Sequence, residues 1–137
     1  MTKLEIGLKG QKQMVVENQH LASFMGNMGA DVLSTHYVLL LLELAARNAI
    51  EGRLPEGMMT VGTWVKIRHL AATPLGLRVR AEATLKEIRG RRLFFDVAAY
   101  DEYEKIAEGE NEQIVVSINK FLGRVREKKL EPKIEWA

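Results

Sequence analysis

The sequence predicts an α+β fold in which one antiparallel sheet of five strands wraps around one long buried helix. Three observations indicate this fold: one helical segment is apolar around most of its circumference, several later segments alternate apolar with polar residues, and no helical pattern separates those later segments. Strands that follow one another without crossover helices pair antiparallel, which excludes a parallel βαβ arrangement. With 137 residues, the chain is predicted to form one domain over residues 1–137.

The amino-terminal part of the chain is predicted to contain a strand, a lid and the central helix. Residues 4–16 carry β-compatible residues broken by glycines, which predicts one strand or two short extended pieces. Residues 17–28 mix helix formers with a glycine and predict a short helix or a lid-like loop. The sequence THYVLLLLELAARNAI at 35–50 predicts the central helix, with Ser34 or Thr35 as its N-cap. Because this helix is apolar on most sides, we expect it to be buried on nearly all of them.

Four strands are predicted after the helix. The first covers 59–71, and its odd-numbered residues are expected to face inward: Val61, Thr63, Val65, Ile67 and His69. Residues 77–85 and 93–99 alternate strictly around a glycine turn and predict a hairpin. The last strand is predicted at 113–121. One sheet curled around one helix is the hot-dog architecture, and its exposed edge strand predicts pairing into a dimer.

Composition narrows the classes of function. The chain has no cysteine, which excludes disulfides, thiolate nucleophiles and cysteine-ligated metals and fits a cytoplasmic protein. Its apolar run at 37–42 is too short to cross a bilayer, and its amino terminus lacks the apolar stretch of a signal peptide. No metal site or cofactor is expected, because the histidines have no short paired spacing and there is no glycine-rich phosphate loop. These histidines are His20, His36 and His69.

Basic residues are concentrated in the later part of the chain, although the net charge is only +2. They are Arg89, Arg91, Arg92, Lys120, Arg124, Arg126, Lys128 and Lys129. A net charge this small does not indicate a nucleic-acid partner. Two interpretations of the basic residues stay open: an ordinary solvated face, or a surface that recognises phosphate groups.

Three polar residues could carry chemistry, and each also has an ordinary structural explanation. Glu43 lies between leucines in the central helix, where it is either an ion-pair partner of Arg47 or a general base. His69 is a core histidine or an acid/base. Thr35 is a helix cap or a functional hydroxyl at the positive end of the helix dipole. His36, seven residues before Glu43 on nearly the same helix face, is a rival partner for it.

The segment HLAATPLGLRVRAEATLKEIRGRRLFFDVAAYDEYEKIAEG resembles the fluoroacetyl-CoA thioesterase family, with the AATPxGL turn after a histidine and the GRRL hairpin at matching spacing. YVLLLLELAARNAI and LPEGMMTVGTWVKI resemble the helix and following strand of that family, so the resemblance covers 32–125. It implies hydrolysis of an acyl-CoA thioester at a dimer interface, by a homodimer or by a tetramer formed from two dimers. The implied catalytic residues are Thr35, Glu43 and His69.

The resemblance also implies substrate-binding residues. Gly62 corresponds to a glycine of the family that contacts the substrate, whereas Gln113 and Asn111 stand where the family has an arginine and a histidine. The aromatic lid residues linked to fluoroacetyl selectivity correspond to Gly26 and Gly29, so a short or medium acyl group without that selectivity is expected.

Two other functions stay open for a chain with this architecture. The replacements at positions 111 and 113 favour a non-catalytic acyl-CoA-binding protein. A dehydratase or hydratase of enoyl-CoA is the second alternative. Membrane and nucleic-acid partners are not expected.

Overall fold

Five strands and two helices follow one another along the residues that the structure describes. It is a computed structural model, and it describes residues 3–128 and 132–136. The elements are β1 Lys9–Val15, α1 Thr35–Ala49, β2 Met58–His69, β3 Arg78–Arg89, β4 Arg92–Tyr100, β5 Lys105–Ser117 and α2 Ile118–Lys128. Neighbouring strands all pair antiparallel, in the order β1-β3-β4-β5-β2. The predicted α+β fold, with five antiparallel strands and one long helix, is confirmed.

Helix α1 packs one face against the sheet and leaves the other open. The buried face consists of Val38, Leu41, Leu42, Ala45, Ala46 and Ala49. Strand β1 approaches this face at Gly10, where an added Cβ would lie 2.3 Å from both the Ala45 carbonyl oxygen and the Ala49 nitrogen. On the opposite face Leu40 is 45% exposed. The expectation of burial on nearly all sides is therefore wrong for a single chain, because one sheet covers only one side of a helix.

Strand β2 contains a β-bulge that changes which residues face the helix. Gly62 pairs with Gln113 and Trp64 pairs with Glu112, so Thr63 is an extra residue. After the bulge the odd-numbered residues face inward, as predicted, but before it the even-numbered ones do. The predicted inward positions of Val61 and Thr63 are therefore wrong. Sequence alternation alone cannot reveal this shift, since a bulge adds one residue without leaving an apolar signal.

The last strand begins earlier and ends sooner than predicted. Strand β5 runs from Lys105 to Ser117, whereas Phe121 lies in α2. The inward residues of its first half are Ala107, Gly109 and Asn111, which give no apolar alternation to recognise. The residues of α2 with apolar side chains recur every three or four positions, the helical period. They are Ile118, Phe121, Leu122 and Val125.

The segment between β1 and α1 forms the predicted lid-like loop. It contains two short 3₁₀ turns, Asn18–His20 and Ser23–Met25, and is tied to the chain just before α1. The Ser34 backbone N–H donates to the His20 carbonyl at 2.9 Å. This bond holds the lid beside the amino-terminal end of α1. Within residues 3–128 and 132–136, neither helix combines the length and the apolar character that crossing a bilayer requires.

Candidate active site

Thr35 and His69 are in direct contact, although 34 residues separate them in the chain. The Thr35 Oγ1 atom lies 2.8 Å from the His69 Nδ1 atom. Thr35 is the first residue of α1 and His69 is the last residue of β2. The loop after β2 brings these ends together: the Leu33 N–H donates to the Thr73 carbonyl at 2.8 Å, and the Thr73 hydroxyl donates to Asp101 Oδ2 at 2.9 Å.

Ser34 caps α1 and so leaves the Thr35 hydroxyl available. The Ser34 Oγ atom accepts a hydrogen bond from the Tyr37 backbone N–H at 3.3 Å, as an N-cap residue does. Of the two predicted caps, Ser34 is therefore correct and Thr35 is not. The Thr35 side chain instead points to the imidazole, at the end of the helix where the backbone dipoles favour negative charge.

Burial controls the charge of His69. Desolvation lowers the pKa of this imidazole below its ordinary value of 6.5, and the backbone of Ala71 opposes the shift in part. The ring is therefore mainly neutral at pH 7. Its Nε2 atom is buried and has no hydrogen-bond partner among the described residues. A tautomer with the proton on Nε2 leaves Nδ1 free to accept a hydrogen bond from the Thr35 hydroxyl.

A cavity of about 390 Å³ opens beside the Thr35–His69 pair. The lid, the start of α1 and the chain after β2 each contribute to its wall, and alanines are frequent there. Its lining includes Ala22, Asn27, Ala30, Val32, Thr35, His69, Ala71 and Ala72. The hydroxyl and the imidazole thus have access to a volume that could hold a small organic group.

Glu43 lies farther along α1, against strand β2. Its carboxylate is 3.8 Å from the Arg47 guanidinium, the ion pair that the helical spacing predicted, and its side chain is 27% exposed. A Cβ added at Gly62 would lie 2.9 Å from Glu43 Oε2. The absent side chain at Gly62 therefore lets the carboxylate approach the backbone of β2 closely.

Within one chain, the Glu43–Gly62 pair does not meet the Thr35–His69 pair. Glu43 follows Thr35 by eight residues, which is about 12 Å along a helix axis. The exposed His36, the predicted rival, forms no hydrogen bond with Glu43 among the described residues. One chain therefore holds two halves of the predicted catalytic set at separate places.

Gln113 and Asn111 form a buried hydrogen-bonded network that also includes Thr60. Gln113 is 1% exposed and Asn111 is 2% exposed. The Thr60 hydroxyl donates to Gln113 Oε1 at 2.7 Å, and Gln113 Nε2 donates to Asn111 Oδ1 at 2.9 Å. Asn111 Nδ2 then donates to the Trp64 carbonyl at 3.0 Å. Sequence reasoning did not identify Thr60, because only the bulge places its side chain on the inner face.

A larger cavity lies at the other end of β2 from His69. Its volume is about 680 Å³, between the carboxy-terminal half of α1 and the start of β2. Its lining includes Lys12, Leu44, Arg47, Leu54, Met58, Met59 and Thr60. Since Arg47 is the ion-pair partner of Glu43, this cavity adjoins the second half of the predicted catalytic set.

Comparison of the sequence with known proteins identifies the family of this chain. The family model described as fluoroacetyl-CoA-specific thioesterase matches residues 16–119. The chain belongs to this family. It is 37% identical to the fluoroacetyl-CoA thioesterase of Streptantibioticus cattleyicolor over 98 residues, covering 72% of this chain and 70% of that protein.

Solved structures of the fluoroacetyl-CoA thioesterase and of a thioesterase superfamily member have the same fold. A structure of the fluoroacetyl-CoA thioesterase superposes with a TM-score of 0.84 at 30% identity, covering 91% of this chain and 97% of that one. A Thermus thermophilus thioesterase superfamily member gives 0.87 at 30% identity, covering 94% and 96%. A variant of the fluoroacetyl-CoA thioesterase with serine in place of a threonine, in complex with acetyl-CoA, gives 0.85 at 29% identity, covering 91% and 98%.

Membership in the fluoroacetyl-CoA thioesterase family confirms three predictions. The family itself, the hot-dog architecture and the class of enzyme, a thioester hydrolase, were all predicted from the sequence. The roles of Thr35, Glu43, His69, Gly62, Gln113 and Asn111 stay predictions. Gln113 and Asn111 are almost fully buried, and their amides hydrogen-bond to each other and to the Trp64 carbonyl.

Proposed function

We propose that the protein is an acyl-CoA thioesterase that converts a short or medium acyl-CoA and water into the free acid and coenzyme A. The observation that supports it most directly is the 2.8 Å contact between the Thr35 hydroxyl and the His69 imidazole at the start of a helix. A hydroxyl next to a neutral base is the arrangement that nucleophilic acyl transfer uses. We do not expect selectivity for the fluoroacetyl group, because Gly26 and Gly29 correspond to the aromatic lid residues of the family.

The proposed reaction begins with proton transfer to His69. Attack on the thioester carbonyl comes from the Thr35 oxygen, or from a water molecule that Thr35 polarises and Glu43 activates. In both routes His69 Nδ1 takes the proton of the attacking oxygen, directly from Thr35 or from the water through the Thr35 hydroxyl. It returns this proton to the departing sulfur, so that coenzyme A leaves as a thiol. Backbone N–H groups in the first turn of α1 face the negative charge that develops on the carbonyl oxygen. In the threonine route, water then hydrolyses the acyl-enzyme ester.

A second copy of the chain would supply the missing Glu43. Strand β2 is a twelve-residue edge strand of the sheet, and Trp64 near its centre is 46% exposed. Two such edges that pair antiparallel about a two-fold axis place the start of one β2 beside the end of the other. Each Thr35–His69 pair then lies next to the partner's Glu43 and its large cavity. Pairing of dimers into tetramers is compatible with this arrangement.

The same pairing brings positive charge toward the coenzyme. Arg91 in the β3–β4 turn and Lys120 and Arg124 on α2 lie at the Met58 end of the sheet and form no ion pair among the described residues. Phosphates of coenzyme A would contact them while the thioester reaches Thr35 and His69 of the other chain. Lys129 of the predicted basic segment lies outside the described residues. A cytoplasmic location, where acyl-CoA is available, fits this function.

Release of free thiol from a panel of acyl-CoA substrates tests the proposal. Glu43→Gln or His69→Ala should lower kcat by roughly 10²- to 10⁴-fold, because each removes a group that transfers or orients a proton. Thr35→Val should do the same, and Thr35→Ser should keep more activity because it retains the hydroxyl. Circular dichroism establishes that each variant is folded.

Two outcomes would contradict the thioesterase proposal. Full activity in folded Glu43→Gln and His69→Ala would reject the catalytic assignment. Saturable binding of acyl-CoA without thiol release by any preparation would favour the binding protein, and water addition to an enoyl-CoA without thiol release would favour the hydratase.

A further inference from the structure

Two residues of the predicted site, one substrate-binding and one catalytic, can share one face of β2 only because that strand is irregular. Gly62 and His69 are seven residues apart, and in a regular strand an odd separation puts side chains on opposite faces. Here both face α1: a Cβ at Gly62 would meet Glu43, and His69 contacts Thr35. The extra residue Thr63 at the bulge accounts for the difference. Without it, one of the two halves of the site would turn to the outer face.

A bulge leaves backbone groups that need partners, and here a side chain supplies one. The Trp64 carbonyl at the bulge accepts a hydrogen bond from Asn111 Nδ2 at 3.0 Å. Asn111 is held in turn by Gln113, and Gln113 by the Thr60 hydroxyl, which lies on β2 just before the bulge. The network therefore connects the two sides of the bulge across strand β5.

The burial of Gln113 and Asn111 favours a role in holding the bulge over a role in substrate binding. At 1% and 2% exposure, Gln113 and Asn111 present almost no surface to a ligand, and their amides bond to one another and to the bulge. A buried network in which each member has a partner rigidifies its surroundings, whereas breaking it leaves polar groups without partners.

We propose that Asn111, Gln113 and Thr60 are positioning residues that hold the β2 bulge, so that Gly62 beside Glu43 and His69 beside Thr35 both lie on the face of β2 that packs on α1. The catalytic part of this inference rests on the proposed function. The structural part, that the network stabilises the bulge, stands without it.

Kinetics of Asn111→Leu test the catalytic part. Leucine has a similar shape but cannot donate to the Trp64 carbonyl. We expect kcat for an acyl-CoA to fall by roughly 10- to 100-fold, because small misplacements of reacting groups are costly, while KM changes by less than about threefold. A large rise in KM with unchanged kcat would show a ligand contact and overturn the proposal, as would unchanged values of both.

Two substitutions of Thr60 test the same role if Asn111→Leu does not fold. Thr60→Val removes the hydroxyl that orients Gln113, and should lower kcat by roughly 3- to 10-fold. Thr60→Ser restores the donor and should recover most of that loss. Equal kcat values in the valine and serine variants would overturn the role of the network.

Hydrogen–deuterium exchange tests the structural part without any activity. Peptides that cover 61–66 should exchange faster in Asn111→Leu, or in Thr60→Val, than in the unmodified protein, whereas peptides from β3 should not change. Unchanged exchange at 61–66 would overturn the positioning role. If the unmodified protein releases no thiol from any acyl-CoA, the proposed function fails, and the exchange result still decides whether the network holds the bulge.

Discussion

At the scale of single residues, adjacent side chains with similar chemistry have different roles. Ser34 and Thr35 both carry a hydroxyl at the start of α1, but Ser34 caps the helix and Thr35 contacts His69. The sequence identified both residues as cap candidates and could not choose between them. Only the position of the histidine, brought in by the loop after β2, separates the two. The proposed role of Thr35 thus depends on a long-range contact and not on its local sequence pattern.

The depressed pKa of His69 predicts the pH dependence of the reaction. Because desolvation lowers this pKa below 6.5, the neutral ring that accepts a proton persists to lower pH than for a solvated histidine. The acidic limb of kcat/KM should therefore have its midpoint below 6.5. A truncated acyl thioester without phosphates should be used, since phosphate groups titrate near pH 6. The exposed His36, changed to glutamine, is the matched control and should leave the midpoint in place.

The depressed pKa of His69 also predicts how the free energy of unfolding depends on pH. Between 6.5 and the lower pKa of the folded state, the unfolded chain binds more protons at His69 than the folded chain does. The free energy of unfolding should therefore decrease as pH falls through this window, and His69→Gln should remove that part of the decrease. A midpoint of the acidic limb at or above 6.5, or an unchanged stability profile in His69→Gln, would contradict this account of the histidine.

At the scale of elements, the sequence patterns predicted the regular helix and the regular hairpin but missed the bulge in β2 and the first half of β5. The strict alternation in β3 and β4 predicted their hairpin, and the apolar helical segment predicted α1. The bulge at Thr63 could not be predicted, because an inserted strand residue changes the register without changing composition. The first half of β5 was missed since its inward positions hold Ala107, Gly109 and Asn111. Both missed features lie next to the proposed site.

The contact between β1 and α1 predicts a large effect of one glycine. Gly10→Ala would place a Cβ 2.3 Å from the Ala45 carbonyl oxygen and the Ala49 nitrogen, so the helix or the strand must move. We expect the free energy of unfolding to fall by about 1–3 kcal/mol or more, as for other overpacked cores. Denaturant titration measures it.

The matched control for the Gly10 substitution is another glycine-to-alanine change. Gly123 lies in α2, and a Cβ there would meet nothing within 4 Å. Gly123→Ala should be neutral or stabilise the protein by up to about 1 kcal/mol, because alanine has the higher helix propensity. Equal changes in the free energy of unfolding of the two variants would show that an added methyl group between β1 and α1 does not destabilise the protein.

At the scale of the whole molecule, a single chain presents two incomplete halves of a site. The Thr35–His69 pair and the Glu43–Gly62 pair each adjoin their own cavity, and the edge strand β2 lies between them. The same chain also leaves one face of α1 uncovered, where Leu40 is exposed. The proposed two-fold dimer would cover the apolar helix face, pair the strand edge and complete the proposed site. The edge strand predicts dimerisation and the family resemblance implies a site at the dimer interface, but the sequence does not indicate which residues each chain would contribute.

Subunit mixing tests whether the site is divided between chains. Glu43→Gln and His69→Ala, each inactive alone, should regain roughly a quarter of the activity when coexpressed in equal amounts. Half of the dimers are then mixed, and each mixed dimer has one site with an intact Thr35–His69 pair and the partner's intact glutamate. Coexpressed Thr35→Ala and His69→Ala should not regain activity, because both changes affect the same half of the site. Absence of recovery in the Glu43→Gln and His69→Ala mixture, with dimers verified by light scattering, would contradict a site shared between two chains.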